Sequence, residues 1–101
     1  NGFSIISLSD KIIPEEISFS AAYPNPFNPV TTLEFSVPIE MDVQVVVYDM
    51  MGRVVSELTN NLYESGNHEI HWDASEQSSG IYFVKLTAGE YINTKKVMLI
   101  K

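Results

Sequence analysis

Apolar and polar residues alternate with a period of two along most of this chain, the pattern of strands that bury one face. In residues 33–37, Leu33, Phe35 and Val37 share one face and Glu34 and Ser36 the other. Pro38 then closes the strand, since it has no donor for a ladder. Val43, Val45 and Val47 alternate with Gln44, Val46 and Tyr48, so the second face of that strand is expected to be partly covered. Asp49-Met50-Met51-Gly52 reads as a hairpin loop on a type I turn, with Gly52 supplying a positive φ, and residues 53–58 return as the antiparallel partner. Thr59-Asn60-Asn61 reads as a polar turn and Ser65-Gly66 as a break. Beyond them His68, Ile70 and Trp72 alternate with Glu69, His71 and Asp73. Residues 80–87 form the next strand, Ala88-Gly89 turns the chain, and residues 91–101 form the last.

Punctuation by Pro, Gly or Asn comes at intervals of roughly 8 to 12 residues, which predicts an all-β sandwich or barrel with almost no helix. The strongest break is Pro24-Asn25-Pro26-Phe27-Asn28-Pro29, where three prolines remove three backbone donors and forbid a helix. It divides the chain into residues 1–22, a linker from a preceding domain, and residues 23–101, the sandwich. Within the linker, residues 3–8 (Phe-Ser-Ile-Ile-Ser-Leu) and 17–19 are candidates for strands that dock on a neighbouring surface. With Asn1 at the start in place of Met, the sequence is expected to be a piece of a longer protein.

A chain of 101 residues supports one core that buries about two thirds of its unfolded surface. With 45% hydrophobic and 19% charged residues it falls in the globular class. The absence of cysteine excludes disulfides, thiol nucleophiles and Cys-ligated metals. A net charge of −7 disfavours nucleic acid and anionic membranes as partners, and no apolar run is long enough for membrane insertion as a helix. Four of the six cations, Lys85, Lys95, Lys96 and Lys101, nevertheless fall in the last 17 residues. Such lysines either protect a sheet edge from aggregation or form a docking site.

Gly80-Ile81-Tyr82-Phe83-Val84 has the layout of the tyrosine corner of immunoglobulin sandwiches, with Val84 where antibody domains carry cysteine. Trp72 is then the natural bulky centre of the core, and Asp73 caps the following turn. The expected fold is an immunoglobulin-like antiparallel β-sandwich of seven to eight strands.

Candidate chemistry is sparse. His68 and His71 are three apart on a predicted strand, so their rings point to opposite faces and do not form a zinc pair. Glu64 with Glu69, or Asp73 with Glu76, are near in sequence, but nothing places them in a cleft. The chain has no nucleophile elbow, phosphate loop or calcium loop, so no catalytic residue, cofactor or metal site is expected. Exposed aromatics could stack on sugars, yet with Trp72 and Tyr82 in the core only Tyr48, Tyr63 and Tyr91 remain, scattered along the chain.

Pro24-Asn25-Pro26-Phe27-Asn28-Pro29 leading into Thr31-Thr32-Leu33-Glu34-Phe35, Val47-Tyr48-Asp49-Met50-Met51-Gly52-Arg53, Gly66-Asn67-His68 to Trp72-Asp73, Ser79-Gly80-Ile81-Tyr82-Phe83-Val84, and Lys95-Lys96-Val97-Met98-Leu99-Ile100-Lys101 occur in order. Together they resemble the type A C-terminal sorting domain of the type IX (Por) secretion system, over roughly residues 17–101. The resemblance implies a non-catalytic signal fused to a larger upstream cargo, exported through the periplasm to the cell surface or beyond. It also implies recognition by the outer-membrane translocon and cleavage by a sortase-like peptidase in the connector before Tyr23. Lys95, Lys96, Val97, Met98, Leu99, Ile100 and Lys101 are the candidate recognition residues, offering charge, apolar anchors and one free row of backbone groups. On this reading deletion of residues 97–101 leaves most of the domain folded. The alternative is a non-catalytic immunoglobulin-like spacer, or a carbohydrate or adhesion module, of an extracellular enzyme; a sorting signal requires Lys101 to be the natural C-terminus, and a spacer does not.

Overall fold

The computed structural model describes residues 16–101; the candidate strand at residues 3–8 lies outside them. Seven strands follow one another: β1 Ser18–Phe19, β2 Val30–Val37, β3 Met41–Tyr48, β4 Val54–Tyr63, β5 Gly66–Asp73, β6 Gly80–Ala88 and β7 Tyr91–Leu99. There is no helix among the described residues. The strands form a three-stranded sheet in the order β1-β2-β5 and a four-stranded sheet in the order β4-β3-β6-β7, with every strand pair antiparallel.

The alternation sets the core. Leu33, Phe35 and Val37 of β2 are buried with Trp72 of β5, and they face Val43, Val45, Val47, Val84, Leu86, Val97 and Leu99 of the larger sheet. Trp72 is 3% exposed and lies edge-on to Tyr82, with ring centroids 5.3 Å apart. The Tyr82 hydroxyl donates to the Ser78 carbonyl at 2.6 Å, which satisfies its polar end and fixes the entry to β6. Phe19 of β1 and Ala22 are also buried, so the end of the connector is packed into the sandwich.

The 49–53 turn forms as the sequence suggests: Gly52 has φ +83°, its N–H donates to the Asp49 carbonyl at 3.0 Å, and Asp49 Oδ1 accepts from Met51 N and Arg53 N. Thr59-Asn60-Asn61 is not a turn. These residues lie inside β4, opposite Val45, Gln44 and Val43, and the chain reverses instead at Glu64-Ser65. The asparagines are tolerated because β4 is an edge strand and they are exposed to water.

Candidate functional site

In β7 alternate side chains go to opposite faces. Val97 and Leu99 are buried in the core at 0% and 1% exposure, opposite Tyr82 and Gly80. Removing residues 97–101 would therefore take two anchors out of the core, contrary to the expectation that most of the fold survives. Lys95 is also on the inward face, where its ammonium sits 6.0 Å from the centroid of the Phe19 ring. Its aliphatic stem lies near apolar surface while the charge stays at the rim.

Lys96, Met98, Ile100 and Lys101 are the exposed members of the tail. Lys101 is held by its own chemistry: its N–H donates to Ser79 Oγ at 3.0 Å, and its ammonium donates to the Ser75 and Gln77 carbonyls, both at 2.8 Å. Asp73 shapes the same turn, accepting from Ser75 N and Ser75 Oγ at 3.0 and 2.6 Å. The Ser75 hydroxyl and then its N–H hold the Asp73 carboxyl below its ordinary pKa.

The free row of backbone groups expected on this strand is only partly free. Phe27 N–H donates to the Met98 carbonyl at 2.9 Å and the Phe27 carbonyl accepts from Ile100 N–H at 3.0 Å, a parallel bridge between Phe27 and Leu99. One rung earlier, the side chain of Asn25 donates from Nδ2 to the Lys96 carbonyl at 3.1 Å and accepts at Oδ1 from Met98 N–H at 2.9 Å. Pro29 lacks the donor that a further rung would need. The Phe27 ring, 2% exposed, anchors this cover in the core at 5.4 Å from Trp72. Thr31 Oγ1 donates to the Pro24 carbonyl at 2.8 Å, and Tyr23 and Thr32 exchange two backbone bonds, each 2.9 Å.

The Pro24–Pro29 segment thus closes the edge of β7 from Lys96 to Ile100. Among the described residues the edge stays uncovered beside Ile92 and Thr94. A groove of about 230 Å3 remains between the cover and the sheet, lined by Asn25, Pro26, Ile81, Lys96, Val97 and Met98. Proline and asparagine mark this segment in the sequence as a boundary; their role as an edge cover depends on contacts more than 70 positions away.

The remaining candidates do not converge on a chemical site. His68 is partly buried against Phe35 and Tyr63, at 5.4 and 4.9 Å between centroids, and donates from Nε2 to the Glu64 carbonyl at 2.7 Å. His71 is exposed on the other face, 2.9 Å from the Thr32 hydroxyl. Among the described residues no group of three or more His, Asp or Glu is placed to hold a metal ion. Tyr63 and Tyr91 pack against the core while Tyr48 is on the outer face of the larger sheet, so the three tyrosines share no platform.

The family model for secretion system C-terminal sorting domains matches residues 21–101, a span that takes in the cover and every strand except β1. No curated protein matches the chain. The chain therefore belongs to the family of C-terminal sorting domains, the signals that mark proteins for export by the type IX secretion system.

Proposed function

We propose that the outer-membrane translocon reads this domain in its folded form, through the side chains that β7 and its extension turn outward: Lys96, Met98 and Ile100. The observation that carries this is the closed edge. With the carbonyls of Lys96 and Met98 and the amides of Met98 and Ile100 already bonded, a partner meets side chains there and not an open ladder. Val97 and Leu99 serve recognition by fixing the strand to the core, Lys95 by its place at the rim, and Lys101 by tying the tail to the 75–79 turn.

The cargo precedes this domain, crosses the inner membrane by the general route and passes through the periplasm before export. A cell-surface peptidase of the sortase-like kind then cuts the connector. Since Phe19 and Ala22 are in the core, the cut that leaves the sandwich intact falls before Ile17. The domain carries no reaction of its own.

The test is export of a reporter joined to residues 1–101 in a bacterium that uses this secretion system. Lys96→Glu and Met98→Asp are expected to retain the reporter inside the cell while the melting midpoint of the domain stays near that of the unmodified chain. Secretion of both variants at full yield would refute recognition through these side chains.

A further inference from the structure

The outer face of the four-stranded sheet is divided by charge. Its β3-β4 half carries Asp42 and Glu57, whereas β6 and β7 contain no acidic residue at all. On the β6-β7 half the register sets Phe83 between Tyr48 and Lys96, Lys85 between Val46 and Thr94, and Ile81 opposite Met98. Lys85 and Lys96 therefore lie on two sides of the Phe83 ring. Among the described residues neither lysine forms a salt bridge; Lys85 instead reaches over Tyr48, 5.6 Å from the ring centroid. In a chain of net charge −7, a basic and apolar half-face is a local reversal of sign. The groove beside Pro26 opens next to it, with Ile81 and Met98 in its lining and Lys96 at its rim.

Extending the reading of the tail as a recognition element, we infer that Ile81, Phe83 and Lys85 of β6 belong to the same docking surface, whose partner is an acidic protein segment with an apolar anchor residue. The anchor enters the groove between Pro26 and Ile81, and carboxylates of the partner meet Lys85 and Lys96 around Phe83. Opposite charge around an apolar centre steers encounter and sets orientation. An anionic lipid surface is the lesser fit: polybasic lipid sites use clusters of roughly four to eight cations, and this half-face turns out two.

The experiment is the same reporter fusion with Lys85→Glu. The expected result is a fall of about tenfold in the rate of export, with a smaller fall for Lys85→Gln, no fall for Glu57→Lys on the opposite half, and unchanged melting midpoints. Full export of Lys85→Glu, with Lys96→Glu or Met98→Asp still retained, overturns this inference and leaves the tail reading standing; full export of all three variants overturns both. Vesicles of phosphatidylcholine with phosphatidylglycerol are expected not to bind the chain. Binding that Lys85→Glu abolishes would assign the face to lipid and overturn the proposal.

Discussion

The side chain of Asn25 takes the place of a backbone rung against Met98. In a parallel ladder continued backward from the Phe27–Leu99 bridge, residue 25 would donate its N–H to the Lys96 carbonyl and accept from the Met98 N–H. Both bonds are present, but the asparagine amide makes them, at 3.1 and 2.9 Å. A primary amide is suited to this because it carries a donor and an acceptor on one planar group. The ladder is thus extended by a residue held between two prolines.

Asn25→Ala removes both bonds and is expected to cost about 1 to 2 kcal/mol. Hydrogen exchange at the Met98 amide should accelerate more than exchange at Ile100, whose partner is the Phe27 carbonyl. Asn25→Asp keeps an acceptor for Met98 but sets a carboxylate against the Lys96 carbonyl, and should be no more stable than the alanine variant. Equal protection of Met98 in all three proteins would show that the side-chain bonds do not hold the edge.

Trp72→Ala is expected to cost on the order of 3 to 5 kcal/mol. The indole is 3% exposed and touches both the Phe27 ring of the edge cover and Tyr82 of the tyrosine corner. Its removal should therefore loosen the Pro24–Pro29 segment along with the core, seen as faster exchange at Ile100. A cooperative melt at nearly the native midpoint would contradict this.

Asp49 supplies an acid-sensitive contribution to stability. The Arg53 N–H is the largest influence holding its carboxyl below the ordinary value of 3.8, aided by Met51 N–H and the Arg53 guanidinium, with partial desolvation opposing. A carboxyl whose pKa is lower in the folded than in the unfolded state stabilises fully above the unfolded value, and loses that contribution as pH falls through the folded one. The stability gap between the native chain and Asp49→Ala should accordingly be constant near neutrality and narrow below about pH 3.8. Denaturant titrations across that range check it, and a gap that widens in acid would reverse the assignment.

Local periodicity was informative wherever one face of a strand meets the core. The valines of β3, the 80–88 segment and the Asp49–Gly52 turn could be located from side-chain alternation and one glycine. The same logic failed at Thr59-Asn60-Asn61, because polar residues on an edge strand have the composition of a turn. Alternation does set Ile81, Phe83 and Lys85 opposite Tyr82, Val84 and Leu86, but half-covered positions on the second face of a strand carry no sign of a role.

From the sequence by itself came the all-β class, the strand faces, the buried Trp72 and Tyr82, and the order of motifs that carries the family resemblance; each depends on neighbours within a few residues. The tertiary structure alone decided which backbone groups of the last strand are occupied and which of its lysines point outward. The outward lysine follows from the register of β7 on β6, and the occupied groups from Asn25 and Phe27 meeting residues 96–100 across the sandwich. The two segments share no local pattern, and only the closure of the two sheets around one core brings them within hydrogen-bonding distance.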